Sequence, residues 1–498
     1  MALFGGIPGV AAGSNVRSVS GVRYATAPGR WVLAATVLGS GVAFLDGTVV
    51  NVALPAIRDD LGTSLTGLQW TVNAYLVTLS SLLLLGGSLG DRLGRRKVFV
   101  VGLAGFTCAS LACGLAPSSG ALIAARAVQG VGGALLVPGS LAIIAASFDP
   151  DDRGRAIGAW SGLAGVASSI GPFLGGWLID AVSWRLVFLI NVPLAAVAIV
   201  IAWRHVPETR SAREVPLDFT GAALITTALA GLSYAAIEHR GTAGAMAAVV
   251  GVTALIAFLL VERASTHPML PLDIFGSRQF TGTNLTTLAV YAGLGGALFL
   301  VVLRLQVTLG YSALEAGASL VPFTVLMLVL SPGAGRLSQR IGARLPMTAG
   351  SLIAALGLLL LGQISAGDGY VGEVLPGVVV FGVGMALTVA PLTAAVLASV
   401  GDELAGVASG VNNAVARLAG LLAVAALPAI AGITAGTSIE AGLDAGFATA
   451  LRIAAGLTAA GAVTAAVLVR RTAPVQAMAQ PSVFHACHDP AVALDAPG

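Results

Sequence analysis

The chain has 498 residues, 56% of them hydrophobic and 10% charged, with a formal net charge of +3. Soluble domains carry about 25% charged residues, so this composition excludes a soluble globular protein. The charges sit in short loops between apolar runs rather than in one basic patch, which excludes a nucleic-acid-binding surface.

Apolar runs of about 20 residues, enough to cross a bilayer as helix, recur along nearly the whole chain. They predict an all-α membrane protein with about fourteen transmembrane helices. Residues 1–30 lack the charged-then-apolar order of a signal peptide, since Arg17, Arg23 and Arg30 follow a mildly apolar start, and read as a cytoplasmic lead.

The first span, Trp31–Ala56, carries "AFLDGTVVNVALP" (43–55). A carboxylate inside an apolar helix costs roughly 2.5–3.5 kcal/mol on insertion scales, which makes Asp46 a functional candidate. Asn51 lies further along the same helix. The second span, Leu68–Leu89, offers Trp70, Asn73 and Tyr75 to a substrate cavity, with packing or interfacial anchoring as the competing reading. It runs into the turn "GSLGDRLGRRK" (87–97), with Gly87, Asp91, Arg92, Gly94, Arg95 and Arg96. There Asp91 can accept charge-assisted hydrogen bonds from Arg92, Arg95 or neighbouring helix ends. The third span, Val98–Ala116, holds Cys108 and Cys113 as small packing residues.

The fourth span, Ala121–Ser147, brings "LIAARAVQGVGGA" (122–134) with Arg126 and Gln129. At 1.5 Å per residue, Asp46 lies roughly 15 Å and Arg126 roughly 10 Å from the outer helix ends, so the two charges share a depth. Buried charges face a cavity or pair with each other. Asp46 therefore either takes up and releases a proton tuned by Arg126, or forms a static ion pair that holds the helices together. On the next loop Asp149 and Arg153 are possible partners for the 87–97 turn. The fifth span, Ala156–Ile179, is punctuated by Gly158, Gly162, Gly171, Gly175 and Gly176, spacing that lets helices approach closely, and Pro172 favours a bend.

After the sixth span, Trp184–Trp203, come a linker and the pair Leu217–Ile237 and Thr242–Val261. Six more spans follow: Phe280–Leu303, Ala313–Ala334, Leu345–Ile364, Val371–Val400, Leu404–Ile433 and Ala445–Val469. In the thirteenth, Asn412, Asn413 and Arg417 either face a cavity or hydrogen-bond between helices. Arg and Lys concentrate in loops on the side of the N-terminus, which predicts cytoplasmic termini. Near the C-terminus "HACHD", with Cys487, reads as part of a disordered tail rather than a metal site.

The turn from Gly87 has an echo in "GRLSQRIGAR" from Gly335, where Gln339 stands in the place of Asp91. Duplicated halves of this kind are the sequence sign of an alternating-access transporter. The parsing is a lead (1–30), a six-helix bundle (31–204), an inserted pair (217–262), a second bundle (280–470) and a cytoplasmic tail (471–498).

Four stretches carry a family resemblance. "GSLGDRLGRRKVF" (87–99) resembles the loop motif of the major facilitator superfamily, and "LIAARAVQGVGGA" resembles its fourth-helix motif. "GAWSGLAGVASSIGPFLGG" (158–176) resembles the antiporter motif, and "LDGTVVNVALP" (45–55) the first-helix motif of the fourteen-span drug:proton antiporters. "WRLVFLINVP", "PLDFTG" and "ASGVNNAVARLAG" fit the same family, whereas Arg304 replaces an expected aromatic residue.

The resemblance implies the major facilitator fold and proton-coupled efflux of small amphiphilic compounds such as drugs or antibiotics across the cytoplasmic (inner) membrane. It also implies a cytoplasmic latch at 87–97 and a gating seam along the fifth helix. A proton-coupled importer or metabolite symporter is the alternative. The expected partners are a small-molecule substrate, protons and the lipid bilayer, with no nucleic acid, no metal, no cofactor and no enzymatic activity, for a monomer. One deep acid favours neutral or singly charged ligands, because a double cation would want a second buried carboxylate. No GxxxxGK[ST] stretch supports ATP coupling.

Overall fold

The computed structural model describes residues 22–211, 217–238, 241–266, 268–400, 405–433 and 438–470. Among them, 14 helices are long and apolar enough to cross a membrane. They are α1 (Ala27–Leu61), α2 (Leu65–Leu93), α3 (Arg95–Gly114), α4 (Ser119–Ser147), α5 (Pro150–Ala181), α6 (Leu186–His205) and α7 (Phe219–Ile237). Then follow α8 (Thr242–Ala264), α9 (Arg278–Val307), α10 (Ala313–Ile341), α11 (Arg344–Leu361), α12 (Tyr370–Leu397), α13 (Val407–Ile430) and α14 (Ile439–Leu468).

Several helices outrun the apolar spans that announced them; α1 begins at Ala27 rather than Trp31 and ends at Leu61 rather than Ala56. Hydropathy marks only the lipid-facing middle, whereas caps set the ends. The side chains of Thr26, Ser64, Ser118, Ser277 and Ser438 each accept a backbone N–H in the first turn of α1, α2, α4, α9 and α14. Each such cap stabilises its helix by about 0.5–2 kcal/mol.

Helices α1–α6 pack on one another, with α4 against both α2 and α3, and α1 against α5 and α6. Helices α9–α14 form a second group, with α9 against α13 and α14, and α12 against α10 and α11. The starts of α1 and α5 meet at one face, where Asp152 accepts the backbone N–H of Tyr24 at 2.9 Å. The start of α9 and the end of α14 also meet, through Arg278 and the Val467 carbonyl at 2.9 Å. Since α1 begins and α14 ends on the same side of an even set of crossings, this side is called the terminal face and the opposite one the distal face.

The pair α7–α8 lies between the groups in sequence and across their seam in space, with α7 against α2 and α13. Gly231 and Gly251 bring its two backbones together: a Cβ on Gly231 would stand 2.9 Å from the Ala247 carbonyl oxygen and from the Gly251 Cα. Val77, Leu229 and Leu421 then close an apolar cluster shared by α2, α7 and α13.

Hydrogen bonds between the two groups lie toward the distal end among the described residues. The Gln69 amide donates to the Val424 and Ala425 carbonyls at 2.8 and 3.2 Å. Gln306 donates to the Val52 carbonyl at 3.0 Å. Asp180 accepts the backbone N–H groups of Ala313 and Leu314 at 3.2 and 2.8 Å.

Candidate functional site

Asp46, at mid-length on α1, is fully buried. Arg126 Nη1 donates to its Oδ2 at 2.5 Å. Its Oδ1 accepts Gln129 Nε2 at 2.9 Å and Asn191 Nδ2 at 3.1 Å. The two α4 residues stand one turn apart and so share a helix face, and Arg126 Nη1 also donates to Gln129 Oε1 at 2.6 Å. Arg126 Nε reaches the Thr71 carbonyl at 3.1 Å. The Tyr75 ring lies 4.3 Å from the guanidinium carbon, a cation–π arrangement. Ser110 Oγ completes the network, accepting from Gln129 at 3.1 Å and Asn191 at 3.0 Å and donating to the Phe188 carbonyl at 2.9 Å.

Five helices, α1, α2, α3, α4 and α6, therefore converge on one carboxylate. Glycines of "QGVGGA" make that convergence possible. A Cβ on Gly132 would stand 2.6 Å from the Phe106 backbone nitrogen, and one on Gly130 would collide with Thr78 Oγ1 and the Tyr75 carbonyl. Small residues let α4 approach both neighbours closely enough for Arg126 and Gln129 to span to α1.

The structure unites the expected pair and reassigns two residues expected in the cavity. Gln129 and Tyr75 are buried in the ion cluster, because α4 and α2 turn those faces toward Asp46 and Arg126. Ser110 and Asn191 were not anticipated. Asn191 had a faint signal as an amide inside the apolar "FLINVP"; Ser110 had none.

At the terminal face, Asp91 accepts from Arg95 Nε at 2.8 Å. Gly94 takes φ 116°, which a side chain would strain, and a Cβ there would stand 2.6 Å from a Glu208 carboxylate oxygen. Arg96 pairs with Glu208 at 3.6 Å and donates to the Val206 carbonyl at 3.1 Å. The backbones of Arg95 and Asp91 bond to Thr209 and Ser211 at 2.9 and 3.0 Å. The turn is thus tied to the segment after α6, and Glu208 is a partner the sequence reading did not name. The expected link to Asp149 and Arg153 is not made. Asp149 caps α5 through the Asp151 N–H at 3.3 Å, and Arg153, like Arg92, is exposed.

Along α5, Gly171 and Gly175 lie against Thr48 and Val49 of α1. Gly176 lies against α10, where a Cβ would stand 2.5 Å from the Ala313 carbonyl oxygen, and the Pro172 carbonyl lies against Gly317. Gly158 and Gly162 face open space. Gly87 has only a Pro138 side-chain carbon in van der Waals reach, at 3.6 Å.

The remaining candidates scatter. Asn51 and Asn413 are half-buried. Trp70 packs on Tyr234 of α7 at 6.1 Å between ring centroids. Asn73 is fully buried, and neither amide atom finds a partner. Asn412 donates to Thr287 at 2.6 Å and Asn284 at 3.2 Å, so it bonds α13 to α9. Arg417, partly exposed on α13, points its guanidinium at Phe44 of α1, 5.9 Å away.

Arg304 is buried at the distal end of α9. It donates to the Ile364 carbonyl at 3.2 and 3.1 Å and to Thr308 at 3.1 Å, and pairs with Asp444. Among the described residues no group of three or more His, Cys, Asp or Glu is placed to hold a metal ion. Cys487 and its "HACHD" lie outside them.

Residues 36–424 match the family model described as Major Facilitator Superfamily. The multidrug resistance protein Stp of Mycobacterium tuberculosis is 35% identical over 401 residues, covering 79% of this chain and 74% of that protein. The tetracenomycin C resistance and export protein of Streptomyces glaucescens is 36% identical over 422 residues, covering 82% and 78%. Among solved structures, a D-xylose-proton symporter superposes with a TM-score of 0.64 at 14% identity, over 89% of this chain and 98% of that one. The fourteen-helix architecture, the motif-bearing turn and relatives alike over most of both lengths lead to one assignment: the chain is a multi-pass membrane transporter belonging to the Major Facilitator Superfamily.

Proposed function

We propose that this protein is a proton-coupled exporter that moves small amphiphilic compounds, drugs or antibiotics among them, out across the cytoplasmic membrane while protons enter. The names of its relatives, which include resistance and export proteins, support the direction. The observation that carries the coupling is Asp46, a single carboxylate sealed among Arg126, Gln129 and Asn191 at the meeting of five helices. The terminal face is cytoplasmic, on the Arg and Lys excess of its loops. The working units are the bundles 31–204 and 280–470 with the inserted pair 217–262, and residues 1–30 and 471–498 are cytoplasmic extensions of a monomer.

Pinning at the distal end by Gln69, Gln306 and Asp180 corresponds to a state that admits substrate from the cytoplasm. Rocking about the glycine-lined α5 seam exchanges those bonds for closure at the other end. The Asp91–Arg95 and Arg96–Glu208 contacts, both made with the cytoplasmic side open, brace the 87–97 turn that closes in the other half of the cycle. A proton delivered to Asp46 cancels the charge that holds Arg126, so the cluster loosens in one half of the cycle and re-forms in the other. One charge crossing 100 mV supplies about 2.3 kcal/mol, enough to hold a neutral substrate roughly fifty-fold out of equilibrium.

Everted vesicles from a host stripped of its own exporters test this reading. Respiring vesicles carrying the wild-type protein should accumulate a substrate dye, and adding the dye should dissipate a preset pH gradient. The Asp46→Asn/Arg126→Gln double variant, which leaves no buried charge unpaired, should insert normally and do neither. Wild-type accumulation by that variant would remove Asp46 from the coupling, and depletion from the vesicle lumen would make the protein an importer.

A further inference from the structure

Arg417 is the one cation near mid-length of α13, and no acid among the described residues pairs with it. Its Nε is buried without a hydrogen-bond partner, and none of the ion pairs among the described residues includes it. In the sequence, no acid occurs between Leu404 and Ile439. The deep acid of the first bundle, Asp46, is already held by Arg126, Gln129 and Asn191. A buried charge without a partner costs several kcal/mol, so such groups face an aqueous cavity or wait for a ligand.

The surroundings of Arg417 belong to both bundles. Phe44 of α1 lies 5.9 Å from its guanidinium carbon, and the phenols of Tyr75 on α2 and Tyr291 on α9 stand within electrostatic reach. The side chain is partly exposed, and its neighbours on α1, α2 and α9 place it at the seam between the bundles. On the α13-facing side of α2 is Asn73, fully buried with neither amide atom paired. Gln69 and Val77, one turn to either side of it, both meet α13. The groups on this seam not already held by a partner are therefore a planar cation, an amide and the rings of Phe44 and Tyr291, with no free carboxylate among the described residues.

We propose that Arg417 is the anion-binding anchor of the substrate site, and that the preferred cargo is an aromatic amphiphile bearing a single carboxylate rather than a cation. A guanidinium presents a rigid fork that matches a carboxylate with two parallel hydrogen bonds. Rings on both bundles cover the aromatic body of such a ligand, so that it binds across the seam that rocking must open. Specificity for this class rests on the export reading for its direction of movement; binding itself does not.

The test uses the full-length protein purified in nanodiscs with three probes: naphthalene-2-carboxylate, the isosteric neutral naphthalene-2-carboxamide, and the cation ethidium. Wild type should bind the carboxylate at least about tenfold more tightly than the carboxamide, the size expected of a charge-assisted hydrogen bond. Arg417→Gln should erase that preference while melting no lower than wild type, since it removes an unpartnered buried charge, and Arg417→Lys should retain part of it. Equal binding of carboxylate and carboxamide, tighter binding of ethidium, no carboxylate binding, or an unchanged preference in Arg417→Gln would each overturn the assignment. Vesicle transport separates the two claims: proton-driven ethidium accumulation without carboxylate preference overturns the anion site and leaves export standing. Carboxylate binding without accumulation of any probe does the reverse.

Discussion

Among the described residues each bundle contains one buried arginine paired with an aspartate, and the two pairs are built differently. Arg126–Asp46 has side-chain exposures of 2% and 0%, whereas Arg304–Asp444 has 7% and 53%. In the first pair both charges have left water, and amides from α4 and α6 replace it. In the second pair only the cation is buried. Its fork is held largely by the Ile364 carbonyl just past the end of α11, where a cation is favoured by the helix dipole. The first arrangement makes each partner indispensable to the other; the second leaves the acid as a solvated accessory.

The sharpest test of that contrast is Asp46→Asn. Removing one member of a buried pair strands the other and costs about 3–5 kcal/mol. Thermal unfolding in detergent should show a large fall for Asp46→Asn and recovery of most of it in the Asp46→Asn/Arg126→Gln double variant. A loss no larger than that of Asp444→Asn would erase the distinction between the two pairs.

A smaller effect is expected at the supporting amides. Asn191→Ala removes a bond to the Asp46 carboxylate and another to Ser110. A hydrogen bond to a charged group contributes about 1.5–3 kcal/mol, so this variant should fall between the single and double variants above. If Asn191→Ala melts like wild type, the carboxylate is held by Arg126 and Gln129 alone.

The two kinds of residue in the first pair also show what the sequence could reveal. Asp46 and Arg126 were legible because a charge inside an apolar run has few reasons to be there. Their depths followed from helix rise, and the glycines of "QGVGGA" from the need for close approach. Asn191 and Ser110 were not legible, because neutral polar side chains are ordinary in membrane helices and their partners depend on how α3 and α6 rotate against α4. For the same reason Gln129 and Tyr75, expected beside substrate, face Asp46. Glu208 escaped notice because its value comes from lying against Gly94, more than a hundred residues earlier in the chain. The helices themselves were visible throughout; their ends were set by Thr26 and the Ser caps, which hydropathy does not register.

The smallest expected effect separates the two pairs by their response to salt. Asp444 is half in solvent, and pairs of this kind contribute about 0.2–1 kcal/mol. Asp444→Asn should therefore lower the melting temperature slightly at low ionic strength. The difference from wild type should vanish near 1 M salt, where the Debye length shrinks to about 3 Å. The Asp46→Asn deficit should persist there, since no mobile ion reaches a cluster with no exposed surface. Arg304→Gln, which also gives up the Ile364 carbonyl, should cost more than Asp444→Asn at every salt concentration. If the Asp444→Asn deficit proved large and independent of salt, the second pair would have to be counted as an internal lock like the first, and α9, α11 and α14 would move as one body.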